Sequence, residues 1–181
     1  MLKELSIYVS AARELDAECE LVGRLLAEMT KSIRWTIKRT PSVHEHANPD
    51  LVALAESHFY LILMGSDIVA PVGVELQAAR QGQAHIFAYR HLEATPTPAA
   101  AVFLRDADVS WQGYHTPEEF AQHFERALIT QLIAGTPGYG LDLSDIEELS
   151  RRLQALEEGE QEPEADERRG AGHGGIILAQ R

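Results

Sequence analysis

The feature that most narrows the possible folds is the run His58-Phe59-Tyr60-Leu61-Ile62-Leu63-Met64, apolar almost without interruption and closed by Gly65. A strand with one wet face alternates apolar and polar side chains. An unbroken run of this length suits a strand covered on both faces, as in a parallel sheet lying between helices. It is far shorter than the ~20 residues a membrane span needs.

The flanking segments repeat the theme. Leu5-Ser6-Ile7-Tyr8-Val9 reads as a first strand, with Ser10 placed to cap the helix that follows. Leu15, Cys19, Val22, Leu25, Leu26 and Met29 recur at steps of three and four, which predicts an amphipathic helix over residues 11–29. Residues 33–38 alternate as a second strand, and 41–49 form a loop. Asn48-Pro49 predicts the cap and first position of a short helix. Pro71 opens another helix, running to Gln81 with Gly82 as its stop. Strands at 84–88 and, at an edge, 109–111 bracket a helix begun by Thr97-Pro98. Thr116-Pro117-Glu118-Glu119 has the form of a capping box, with Phe120, Phe124, Leu128 and Leu132 along one face of a helix to 134. Strands and helices in alternation predict right-handed crossovers and a flavodoxin-like three-layer α/β sandwich, strand order 2-1-3-4-5.

Residues 1–135 thus form one domain. A turn and a short helix capped by Ser144 fill 136–156. Residues 157–169, with seven acids and two arginines, read as a disordered linker. The end is glycine-rich and then apolar at Ile176-Ile177-Leu178, in the manner of a tag for a protein partner.

The formal charge is −12, half of it carried by residues 135–181. No basic stripe suits a nucleic acid, and an acidic surface disfavours anionic membranes. Cys19 is the only cysteine, and the first residues lack the long apolar region of a leader, so a cytoplasmic protein is expected. His44-Glu45-His46 offers two ligands and no third nearby, so no metal is expected.

A doubly wound sheet binds ligands beyond the carboxyl ends of its strands. The segments expected there are Tyr8-Val9-Ser10-Ala11-Ala12-Arg13, Gly65-Ser66-Asp67, and the helix start Pro71-Val72-Gly73-Val74-Glu75. They combine small residues, helix-terminal amides and a carboxylate, a set suited to a phosphate or a sugar hydroxyl.

These residues carry a resemblance. Ile7-Tyr8-Val9-Ser10, the helix with Arg13-Glu14-Leu15-Asp16-Ala17-Glu18, the strand ending at Gly65, and Gly73-Val74-Glu75-Leu76-Gln77-Ala78-Ala79 resemble the bacterial TIR-like family of unassigned function. More distantly they resemble nucleoside deoxyribosyltransferases. The resemblance spans about residues 5–134. It implies that Glu75 acts at the C–N glycosidic bond of NAD or a nucleoside, as substrate rather than cofactor. It places Tyr8, Ser10, Arg13, Gly65, Ser66, Asp67 and Gly73 around that substrate. The sequence departs from the deoxyribosyltransferase pattern at Ala70-Pro71-Val72-Gly73, where an Asp-x-Gly-Thr box would stand. It also lacks the Ser-x-x-Cys box of many NAD-cleaving TIR domains.

Two functions stay open. One is an N-glycosidase or glycosyltransferase centred on Glu75. The other is a catalytically silent module that senses a nucleotide or assembles with a partner or with itself, in bacterial defence or signalling.

Overall fold

The computed structural model describes residues 3–41, 47–68, 71–136 and 138–166, with side chains as far as 159. The His44-Glu45-His46 stretch and the apolar C-terminal tag lie outside the described residues. Five strands make one parallel sheet: β1 (Lys3–Ala11), β2 (Ile33–Arg39), β3 (Phe59–Met64), β4 (His85–His91) and β5 (Gln112–Tyr114). Their order is β2-β1-β3-β4-β5, all neighbours parallel. The helices are α1 (Asp16–Met29), α2 (Leu51–Ala55), α3 (Val72–Gln81), α4 (Pro98–Asp106), α5 (Pro117–Ala134) and α6 (Leu143–Asp166), with a 3-10 turn at Arg13–Leu15. The expected architecture and strand order are those observed.

All six residues of β3 are buried, because the sheet has two apolar faces. Ile7, Val9, Phe59, Leu61 and Leu63 point to the layer of α1, α5 and α6. Tyr8, Tyr60, Ile62 and Ala88 point the other way, to the layer containing α3. Alternation along each strand therefore sorts side chains between two cores. β2 is an edge, mostly exposed and bearing Arg34, Lys38 and Arg39, which discourages further strand pairing.

Several local expectations are corrected. Ser10 does not cap a helix; β1 continues through Ala11, and Ser10 is fully buried in it. Asp50, not Asn48, caps α2, accepting from the Ala53 amide at 3.0 Å. The last strand lies at Gln112–Tyr114 rather than 109–111. Trp111 donates its indole N–H to the Leu104 carbonyl at 2.9 Å, which anchors that residue to α4 and leaves the next three for pairing. Glu119 reaches the His115 amide rather than that of Thr116, while Thr116 does cap α5. α6 begins one residue earlier than expected and continues to Asp166. Its start is a reciprocal pair: Asp142 accepts from the Asp145 amide at 3.1 Å and Asp145 from the Asp142 amide at 2.8 Å. Ser144 has no part in it.

α6 is fastened to the domain. Leu149 is fully buried in the α1/α5 layer. Lys3, at the start of β1, pairs with both Asp142 and Asp145. Arg152 pairs with Glu125 and donates to the Glu28 carbonyl at 2.7 Å. Among the described residues no helix is long and apolar enough to cross a membrane.

Candidate functional site

Glu75 is the fourth residue of α3, and its side chain turns down onto the sheet, where it is 0% exposed. Tyr8 donates its hydroxyl to Glu75 Oε1 at 2.8 Å. Ser10 donates to Oε2 at 2.5 Å, and Thr40 to the same oxygen at 2.8 Å. Tyr8 and Ser10 are two apart on β1 and so share a face. Thr40 joins them because the β1–β2 ladder runs past the end of β2: the Thr40 amide donates to the Val9 carbonyl at 3.0 Å. That register sets Thr40 beside Ser10, with their hydroxyls 3.2 Å apart.

Three hydroxyls thus hold both oxygens of one carboxylate, and among the described residues Glu75 makes no ion pair. Charge-assisted hydrogen bonds of this kind contribute about 1.5–3 kcal/mol each, enough to hold a buried carboxylate in one rotamer. Burial, and after it the bond to Glu75, raises the Tyr8 phenol well above its usual range. Tyr60, opposite Tyr8 in the β1–β3 register, is also fully buried. Its hydroxyl makes no hydrogen bond of full geometry and is raised by burial, though nearness to Ser10 moderates the rise.

The structure brings Tyr8, Ser10 and Glu75 together and scatters the other expected site residues. Gly65 and Ser66 lie with Glu14: the Ser66 amide and hydroxyl donate to its two carboxylate oxygens, each at 2.6 Å. A β-carbon on Gly65 would stand 2.1 Å from Glu14 Oε1, so glycine lets that carboxylate in. Asp67 accepts from the Thr97 hydroxyl at 2.8 Å, which ties the loop after β3 to the cap of α4. Gly73 lines a groove of about 330 Å³ between α3 and α4 with Leu76, Arg80 and Phe103. Two residues on, Glu75 faces the opposite way. Arg13 is exposed on the 3-10 turn, and among the described residues its guanidinium has no partner.

Thr40 and Tyr60 are the members that sequence reasoning missed. Tyr60 was legible as the partner of Tyr8 in two adjacent strands. Thr40 needed the β1–β2 register, which no residue pattern states. Among the described residues no three or more His, Cys, Asp or Glu side chains are grouped so as to hold a metal ion.

Fold and geometry define a flavodoxin-like, doubly wound α/β domain with a buried, hydroxyl-bound glutamate under its third helix. No protein-family model matches the sequence, and no curated protein matches it.

Proposed function

We propose that the domain handles the ribosyl part of a nucleotide, NAD or a nucleoside, and that Glu75 is the carboxylate that meets the sugar at its C–N bond. The observation that carries this reading is the Glu75 cluster itself. Both oxygens are oriented by hydroxyls of Tyr8, Ser10 and Thr40, with no lysine or arginine paired to Glu75 among the described residues. Cleaving a glycosidic bond builds positive charge on the ribose. A preoriented anion held by neutral donors stabilises that charge more than an anion already paired with a cation. The TIR-like and deoxyribosyltransferase-like resemblance supports the same residue. The exposed Arg13 guanidinium, just beyond β1, supplies a cation for a phosphate.

A second reading has its own observation. Glu75 is 0% exposed and already holds three hydrogen bonds, which suits a pin joining β1, the end of β2 and α3. The domain would then be a nucleotide-sensing or assembly module. Self-association would use the face of α3 and α4, where Val74 and Val102 are about half exposed. Cys19, the only cysteine in the sequence, fits a reducing, cytoplasmic setting.

The test is release of nicotinamide or free base from NAD and a nucleoside panel, at high protein concentration, by wild type, Glu75→Gln and Glu75→Ala. The enzyme reading expects release by wild type that is lost in both variants. Saturable nucleotide binding without release establishes the module. Neither binding nor release, in folded protein, overturns the enzyme and the nucleotide-sensing readings, and a protein that is also monomeric at high concentration overturns self-assembly.

A further inference from the structure

The Tyr60 hydroxyl is a donor left over beside the Glu75 cluster. Tyr60 is fully buried, and its oxygen has no hydrogen-bond partner of full geometry among the described residues. The β1–β3 register sets it opposite Tyr8 and diagonal to Ser10, on the same face of the sheet, with its hydroxyl near that of Ser10. A buried hydroxyl without a full partner keeps most of its desolvation penalty, so phenylalanine would suit the free fold at least as well. Packing alone gives no reason for the oxygen.

The hydroxyl hydrogens around Glu75 are unevenly shared. Ser10 gives its only one to Glu75 Oε2, so its oxygen has lone pairs to offer a donor. Thr40 stands 3.2 Å from that oxygen and 2.8 Å from Glu75 Oε2, with one hydrogen for the two. The shorter contact, to the carboxylate, is the stronger. The members also differ in exposure. Tyr8, Ser10, Tyr60 and Glu75 are all fully buried, while Thr40 is half-buried. Thr40 comes directly after β2, its amide held by the Val9 carbonyl. The outward side of the cluster is therefore the one that Thr40 covers.

We propose, on the reading of Glu75 as the carboxylate that meets a ribosyl group, that the Thr40 hydroxyl holds the place of a sugar hydroxyl and that Tyr60 is the positioning residue that completes the exchange. The sugar hydroxyl donates to Oε2 where Thr40 did. Thr40 turns its hydrogen outward. Ser10 keeps its bond to Oε2, and its oxygen, no longer crowded by Thr40, accepts from Tyr60. The hydrogens balance: the carboxylate has as many donors after the exchange as before, and the Tyr60 hydroxyl gains an acceptor. Closing the chain from Tyr60 through Ser10 to Glu75 then adds to the affinity for the ligand.

The test is calorimetric titration of NAD and of adenosine into the full chain as wild type, Thr40→Val and Tyr60→Phe, with urea unfolding of each. Thr40→Val keeps the shape and removes the competing donor, so binding should tighten by about tenfold, the worth of one charge-assisted hydrogen bond. Tyr60→Phe should bind about tenfold more weakly, yet unfold at a urea midpoint equal to or above that of wild type, because the free protein loses no full hydrogen bond. A merely structural Thr40 would leave affinity unchanged or lower it in Thr40→Val, and a merely structural Tyr60 would leave it unchanged in Tyr60→Phe. Either result overturns the exchange while wild-type binding keeps the ribosyl reading standing. Tyr60→Phe decides alone if Thr40→Val does not fold. Folded wild type that binds neither compound overturns the reading and the exchange together.

Discussion

Tyr8 and Glu75 stand 67 residues apart in the chain and 2.8 Å apart in the fold, phenol to carboxylate, with neither atom in reach of solvent. Removing the donor leaves Oε1 buried and unmatched, while Oε2 keeps Ser10 and Thr40. Tyr8→Phe should therefore cost about 1–3 kcal/mol. Urea unfolding should show a lower midpoint at unchanged slope. In the double variant with Glu75→Gln the two costs should not add, since both changes disrupt one bond.

Acid should loosen α6. Burial alone would raise Asp145, but hydrogen bonds from Lys3, Ser32 and the Asp142 backbone outweigh it and hold the carboxyl at about 2. A folded value below the unfolded one, about 3.9, gives stability that is complete above pH ~4 and is lost as pH falls through 2. Hydrogen exchange at α6 amides should rise across that window, and Asp145→Asn should reduce the pH dependence to the part that Asp142, also held low by Lys3, contributes.

The Cys19 thiol should resist alkylation in the native protein. Burial first, moderated by Arg39, sets it at about 11 against an ordinary value of 9.0. The folded state then binds more protons than the unfolded one between those values. This stabilising term is present below pH 9 and fades as pH rises through 11. Iodoacetamide at pH 8 should label unfolded chains at least about tenfold faster than folded ones.

Gly73 within α3 and Gly82 at its C-cap should respond oppositely to alanine. At Gly73 a β-carbon meets nothing within 4 Å, and Gly73→Ala should be neutral or stabilising by up to about 1 kcal/mol. At Gly82 it would lie 2.1 Å from the backbone carbonyl of Ala55, so Gly82→Ala should cost about 1–3 kcal/mol by parting α2 from α3. Thermal unfolding of the two variants measures both.

Gly82 also illustrates what the residues disclosed and what they withheld. Its place at the end of a helix was legible, but the reason was not. Its φ is −76°, and the left-handed position falls on Gln83 at 62°. The demand for glycine comes from α2, a contact between distant segments. The same division holds elsewhere. The run 58–64 and the helix periods made the sheet and its layers readable, because they reflect local burial, while the strand order came only with the fold class they suggested. Ser10 was misread because Ser before a helical pattern has the form of a cap. Only the position of Glu75 across the sheet turns it into a donor. Of the candidate site, Tyr8, Ser10 and Glu75 were legible together. Gly65, Ser66, Asp67 and Gly73 share a stretch of chain with Glu75 but not a direction in space. Side-chain direction is set by strand alternation and helix phase, which adjacency in sequence does not convey.

The link from Lys3 to Asp142 and Asp145 spans 139 and 142 residues. It therefore bears on the order of events at the ribosome. The first strand emerges early, yet its lysine waits through nearly the whole domain before its partners are made. A chain released short of residue 145 lacks this clasp and leaves Leu128 and Leu132 without Leu149 in their shared core. Truncated translation products should therefore be recognisable to quality-control proteases by that uncovered side, even when all five strands are present.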